Sequence, residues 1–169
     1  QSTVSNSFNT GNITVKRGAQ IKDGHIIAGC IADHRSAVSK AHNTGNITIE
    51  SAAPEGNQSY AAGAIGKTGA GKDVKDVISF CEMKVTGYYY CGFLTGSHRA
   101  DNVKITNGAI GGAYYTFDSQ DFQYTKHDIT ADDYKFHIYG SGESTVYPDE
   151  TYDGVVFLDT KPDILAPAE

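Results

Sequence analysis

The feature that most constrains this chain is an internal repeat. Phe8-Asn9-Thr10-Gly11-Asn12-Ile13-Thr14-Val15 returns as His42-Asn43-Thr44-Gly45-Asn46-Ile47-Thr48-Ile49, 34 residues later, with six of the eight positions identical and one more conservative. The match reaches upstream, where Val4-Ser5 corresponds to Val38-Ser39. A second block, Ala28-Gly29-Cys30-Ile31-Ala32, returns as Ala62-Gly63-Ala64-Ile65-Gly66 at the same spacing of 34, and again as Cys91-Gly92-Phe93-Leu94-Thr95, 29 residues further on. Looser copies of the first block occupy residues 77–85 and 103–110. A period of about 20–50 residues marks a stacked architecture, in which one unit cannot bury its apolar face and its neighbours bury it.

The unit reads as β. Ile13-Thr14-Val15, Ile47-Thr48-Ile49 and Met83-Lys84-Val85 alternate apolar and polar, the period of a half-buried strand. Asn-Thr-Gly-Asn before the first two is turn chemistry, since Gly and Asn tolerate positive φ. The expected fold is therefore all-β, a parallel β-solenoid of about three coils, each lying on the next at about 4.8 Å. Val4 is expected beside Val38, Ile13 beside Ile47, and Ile31 beside Ile65 and Leu94, with Gly29, Gly63 and Gly92 stacked where the backbone packs closely. Residues 16–25, 50–59 and 67–73 are read as loops projecting from the coils.

The repeat fades from about Ala113, which divides the chain into repeats over 1–112 and a C-terminal cap and tail over 113–169. Residues 130–140 read as one short helix, with Thr130 as N-cap, Asp132 and Asp133 at the positive end, and Gly140 as the stop. Residues 155–158 read as a last buried strand, and 162–169 as a tail. The cap is expected to cover the open edge of the last coil, because bare edges invite aggregation. The other end starts inside a repeat, so the chain is expected to be part of a longer one.

Bulk composition narrows the function. Fourteen Lys and Arg against twenty Asp and Glu give a net charge of −6, with no basic cluster, a poor basis for nucleic-acid binding. No apolar run approaches the roughly 18 residues of a membrane span. The three cysteines, Cys30, Cys81 and Cys91, lack metal-ligand spacing and read as small core residues. No metal and no cofactor is expected.

The pattern of a small residue, Gly, any residue, Ile or Leu, followed later by an Asn-Thr-Gly-Asn-Ile-Thr strand, resembles the GLUG-motif repeats of bacterial surface proteins, which are adhesin-like and abundant in gut Bacteroidetes. The resemblance covers roughly residues 4–112, and the C-terminal residues 129–140 and 152–154 are similar to the ends of such proteins. The chain departs from the pattern at Ala32 and Thr95, where the motif has Gly. The resemblance implies an exported, outer-membrane-attached or extracellular protein and carries over no catalytic residue.

Several residue groups are candidates for chemistry. Asp33-His34-Arg35 and Ser97-His98-Arg99 follow equivalent positions, with Lys67 between them, so His34, Arg35, Lys67, His98 and Arg99 are expected along one edge, the outer two about 10 Å apart. Such a ridge could bind an anionic sugar or a carboxylate, Arg being suited to bidentate contact; a solvated turn explains the same residues. Tyr88, Tyr89 and Tyr90, with Tyr114, Tyr115 and Phe117, form an aromatic group able to stack on sugars, or to serve half as core. Gly66-Lys67-Thr68-Gly69-Ala70-Gly71-Lys72-Asp73 nearly spells a phosphate loop, but Asp73 stands where Ser or Thr should hold magnesium. Asp76 with Glu82 is a conceivable carboxylate pair, and Ser97-His98 makes no triad. The sequons at Asn12 and Asn46 belong to the repeat turn itself, and a third lies at Asn57. The expected function is a non-catalytic, adhesin-like surface module whose turns meet a glycan or a host or cell-surface protein; the alternatives are a carbohydrate-binding module and a polysaccharide-cleaving β-helix enzyme.

Overall fold

Asn-Thr-Gly-Asn turns the chain because its first Asn folds back on its own backbone. In the second repeat the Asn43 amide donates to the Gly45 carbonyl (2.9 Å) and its Oδ1 accepts the Gly45 N–H (3.2 Å). Asn9 does the same with Gly11, and its Nδ2 also reaches Asn43 Oδ1 at 2.7 Å. The second Asn of each turn faces its neighbouring repeat: Asn12 Oδ1 accepts the Asn46 N–H, and Asn46 Oδ1 accepts the Glu82 N–H, both at 2.9 Å. The repeat turn thus carries its own bend and part of its own stacking.

The structure, a computed structural model, describes residues 3–16, 25–50, 59–68, 73–87, 89–97, 105–140 and 154–164. The projecting loops expected at 16–25, 50–59 and 67–73 fall mostly outside them. The first repeat contributes β1 (Thr3–Asn9), β2 (Ile13–Lys16), β3 (Ile26–Ala28) and β4 (Ile31–His34). The second contributes β5 (Ala37–Asn43), β6 (Ile47–Glu50), β7 (Tyr60–Ala62) and β8 (Ile65–Thr68). Then come β9 (Val74–Val85), β10 (Tyr90–Gly92), β11 (Thr95–Ser97) and β12 (Ile105–Asp118). The C-terminal segment adds β13 (Gln123–Asp128) and β14 (Val155–Phe157).

The molecule is all-β, and equivalent strands pair in parallel. The largest sheet runs β1-β5-β9-β12-β13, with β6 beside β9, β2 beside β6, and β14 beside β12; the smaller sheets are β10-β7-β3 and β11-β8-β4. From first to second repeat every pair keeps the offset of 34, as in Val4↔Val38, Ile13↔Ile47, Ile26↔Tyr60 and Ile31↔Ile65. Met83↔Ile47 and Val85↔Ile49 continue the expected columns. The core lies between the sheets, with Ile47, Ile49, Ile65, Val74, Val77, Leu94, Ile105 and Ile110 all fully buried.

Four features differ from the sequence reading. First, the third copy of the glycine block is slipped by one residue. Gly92 pairs with Ala62 and Thr95 with Ile65, so Thr95, not Leu94, continues the Ile31–Ile65 column, and Gly92 does not stack on Gly63. The ladder carries the slip: the Gly63 N–H donates to the Gly92 carbonyl at 3.0 Å and the Ile65 N–H to the Leu94 carbonyl at 2.8 Å, and Phe93 takes the place against Gly63 that Gly63 takes against Gly29. In this register Gly96 stands where Gly66 stands in the second repeat, its Cβ position 2.8 Å from the Gly66 carbonyl, which leaves Ala32 as the departure from the small-residue pattern.

Second, the first long strand of every unit bends at a residue with positive φ. Asn6, Lys40, Asp76 and Asn107 lie at φ 53–60° and follow one another in the register of the sheet. Third, residues 130–140 do not form a continuous helix; one 3-10 turn, Tyr134–His137, is what is found. The cause lies in the neighbouring backbone. The His137 and Ile138 carbonyls accept the Phe93 and Leu94 N–H groups at 2.7 and 3.0 Å, and the Gly140 N–H donates to Thr95 (2.8 Å). A helix reaching Gly140 would need that N–H for the Phe136 carbonyl, and here it is spent on the sheet edge. Thr130 caps nothing either, because its N–H and hydroxyl both donate to Asp133 Oδ1. Fourth, β12 and β13 form an antiparallel hairpin.

Candidate functional site

The expected ridge is only partly assembled. Asp33, Lys67 and Ser97 are register neighbours on β4, β8 and β11. Arg35 Nε and Nη2 grip Asp33 Oδ2 at 3.1 and 3.0 Å, and Lys67 Nζ lies 5.9 Å from the centre of the Tyr60 ring. His34 leaves the ridge: it is 1% exposed, paired in register with Thr68. The outward strand positions end at Asp33, and His34 turns in. His98 and Arg99 lie outside the described residues, as do Tyr88, Asn57 and residues 69–72.

The tyrosine group is structural in the part that is described. Tyr89 packs on the core and its hydroxyl lies 3.3 Å from His25 Nδ1, while Tyr90 packs on Tyr60 at 5.6 Å between ring centres. Of the near-phosphate-loop, Gly66, Lys67 and Thr68 lie in β8, and Gly69 to Lys72 lie outside the described residues. Asp76 and Glu82 hold different partners: Asp76 accepts from Asn107 (3.1 Å), and Glu82 accepts from Lys126 (2.6 Å) and Tyr115 (2.9 Å). Burial pushes the thiols of Cys30 and Cys81 up to about 11 and 12, which keeps them protonated and inert. Cys91, beside Ala61 in register, is exposed rather than a core residue.

A different surface draws polar and aromatic groups together, on the outer face of the β9–β12–β13 sheet. Side chains alternate across it. Tyr114 points inward, stacked on His127 at 5.0 Å and near His137 at 4.7 Å. Its neighbours Ala113 and Tyr115 therefore point outward. Register then places three rows side by side: Glu82, Ala113 and Asp128; Lys84, Tyr115 and Lys126; and Phe117 opposite Tyr124. The Lys126 ammonium spans the first two, 2.6 Å from Glu82 and 3.7 Å from Asp128. Hydrogen bonds from Lys126 and Tyr115 hold the Glu82 carboxyl below the usual carboxylate range.

Beside the first row lies a half-open cleft of about 480 Å³, within the usual range for small-ligand sites. Phe80, Glu82 and Asn46 line one side, and Lys126, Asp128, Phe157, Asp159 and Lys161 also border it. Local sequence makes the depression: the β12 residues at this level are Gly112 and Ala113, which fill little space. At its other end the hairpin turns through Asp118, whose Oδ1 accepts the Gln120 N–H at 2.7 Å. The turn leaves Phe122 at φ 53° and 78% exposed.

Tyr115 and Phe117 were visible in the sequence as aromatics near the last repeat. Lys84, Tyr124, Lys126 and Phe122 were missed. The available signal was period-2 alternation on either side of Asp118-Ser119-Gln120-Asp121, a hairpin pattern. Among the described residues no group of three His, Cys, Asp or Glu side chains is placed to hold a metal ion. No protein-family model, curated protein or solved structure matches the chain, so its function rests on this geometry.

Proposed function

We propose that the three parallel sheets wind as a short β-solenoid, and that the chain is a non-catalytic, adhesin-like module of an exported surface protein, presenting a recognition face at the C-terminal end of its stack. One observation carries this reading. The repeating side chains are committed to contacts between repeats, whereas the outward groups on β12 and β13 belong to no repeat. Asn9, Asn43, Asn12 and Asn46 close turns and bridge neighbouring strands. Phe117 and Phe122 are 38% and 78% exposed. A rigid spine with an unrepeated, exposed aromatic face fits recognition better than structure alone. The resemblance to GLUG-motif repeats supports placement outside the cell.

The second reading, a carbohydrate-binding module, is favoured by the cleft, which sets Phe80 and Phe157 among charged and amide groups. The third, a polysaccharide-cleaving enzyme, is weakened because Asp76 and Glu82 are engaged by separate partners. The purified chain incubated with a panel of neutral and acidic polysaccharides is expected to release no new ends. Ends that appear, and vanish in Glu82→Gln, would reverse the non-catalytic reading. A crystal structure with coils spaced about 4.8 Å apart tests the solenoid.

A further inference from the structure

The outward rows of β9, β12 and β13 are continuous with the cleft, and together they make a track. From the Ala113 row to the Phe117 row is four residues, about 14 Å of strand, and Phe122 extends the surface past the hairpin turn. That length exceeds one small ligand and suits an extended one.

The chemistry along the track changes in order. The cleft end offers Asn46, Asp159 and Lys161 as hydrogen-bonding groups beside Phe80, while the Phe157 ring packs on Tyr134 and the core. The middle is the Glu82–Lys126–Asp128 bridge, with the Tyr115 hydroxyl on Glu82. The tip is aromatic: Phe117 packs on Tyr124 at 4.9 Å and near Phe122 at 6.3 Å. Lys84 Nζ sits 3.7 Å from the centre of the Tyr124 ring, which occupies that ring and leaves Phe122 as the open platform. Positive φ at a bulky aromatic is uncommon and costs energy, and the Asp118 turn holds it there.

Charge narrows the occupant. Lys84, Lys126 and Lys161 stand against Glu82, Asp128 and Asp159, and Asp118 and Asp121 at the hairpin turn add two negative charges, so the track carries no positive excess. Such a surface gives no attractive field for a polyanion, which disfavours nucleic acid and uronic-acid chains. The charged pairs also make it a poor membrane-facing surface. Ring faces alternating with hydrogen-bonding groups match a chain of neutral pyranose rings, apolar on their faces and hydroxylated at their edges.

We propose that this track binds an extended neutral oligosaccharide, with one end in the cleft and the chain running along the hairpin to stack on Phe122. The proposal rests on the carbohydrate-binding reading and adds the site, the length and the charge class.

The whole chain is titrated calorimetrically with cello-, manno- and laminari-oligosaccharides of two, four and six sugars, and with a hexauronate. At least one neutral series is expected to bind, with affinity rising from two to six sugars. Phe122→Ala is expected to weaken the hexasaccharide about fivefold, the equivalent of one aromatic contact, and to leave the disaccharide unchanged. Phe122→Tyr should restore it, and Lys161→Ala should weaken all lengths. Phe122 is 78% exposed, so an unchanged melting temperature is expected in its variants. Binding that is independent of length, indifferent to Phe122→Ala, or stronger for the hexauronate overturns the track while leaving carbohydrate binding standing. Binding of none of the sugars overturns both, and leaves the exposed aromatics to a protein partner.

Discussion

The corners of the first two repeats and the matching corners of β9 and β12 occupy the same columns of one sheet, yet they are built from different chemistry. The first pair uses Asn-Thr-Gly-Asn. There the amides close the turn, and Gly45 sits against the Gly11 carbonyl so tightly that a Cβ would collide with it. In β9 the equivalent residues are Ser79-Phe80-Cys81-Glu82, and in β12 they are Ile110-Gly111-Gly112-Ala113. Without the closing amides the strands run on, twelve residues in β9 and fourteen in β12. Register survives on both sides, because the backbone ladder and the buried columns carry it. Side chains freed from closing the turn then face outward: Phe80 and Glu82 line the cleft. Loss of the repeat turn is what frees these side chains for the outer face of the sheet.

The comparison breaks most readily at glycine. Gly45→Ala is expected to cost about 3 kcal/mol or more, since the obstacle is backbone and cannot rotate away. Gly11→Ala, whose nearest neighbour would be 3.7 Å away, should cost under about 1 kcal/mol. Urea unfolding of both variants gives the difference, and equal costs would show that the two corners are not tightly stacked.

The amides come next. Asn43 is fully buried and satisfies both polar groups of Gly45. Asn43→Ala should therefore cost about 2–3 kcal/mol, and Asn9→Ala, at the exposed turn, about 1 kcal/mol. Near-equal losses in urea would mean that burial does not distinguish the turns.

The smaller effects follow pH. His42 Nε2 lies 3.0 Å from the Asp76 carbonyl, which only accepts, so this nitrogen carries the proton of the neutral ring. Burial holds the His42 pKa below its ordinary value. The folded state then takes up its proton later than the unfolded chain does. The stability tied to the neutral ring is present above about pH 6.5 and is lost as pH falls toward the folded pKa. Melting temperatures between pH 7 and 5 should decline less in His42→Gln than in the parent.

Glu82 has the same sign in a more acid window. Its carboxyl is held low by Lys126 and Tyr115, so stability from that cluster is present above about pH 4.3 and is lost below it. Both partners are partly exposed, and the contribution is small at neutral pH. Glu82→Gln should flatten the acid limb of the melting curve, and an unchanged limb would detach the bridge from the stability of the hairpin.

Much of the fold was legible because the repeat writes it twice. Val4 and Val38, Ile13 and Ile47, and Ile31 and Ile65 pair as their spacing required, and the last strand at Val155 was found on its apolar run. The site was less legible. Tyr115 and Phe117 stand out as aromatics and Glu82 as a carboxylate, but Lys84 and Lys126 look like ordinary surface charges until three strands bring them beside Glu82. His34 reads as a ridge residue and is buried: exposure along β4 does not alternate, Ala32 and Asp33 both being exposed and His34 turning in.

The sequence by itself determined the parallel register of the first two repeats and the chemistry of their turns, since both depend on residues a few positions apart or exactly one period apart. Only the tertiary structure decided the rest. Three of the four positive-φ residues Asn6, Lys40, Asp76 and Asn107 are Asn or Asp, which tolerate that region, but their alignment in one column across β1, β5, β9 and β12 exists only in the register of the sheet. The slip at Thr95 appears only in the ladder between β8 and β11, and the helix is shortened where the Gly140 N–H bonds across to Thr95. Local propensity speaks for one segment at a time, and a backbone group already bonded across the sheet is lost to the segment that carries it.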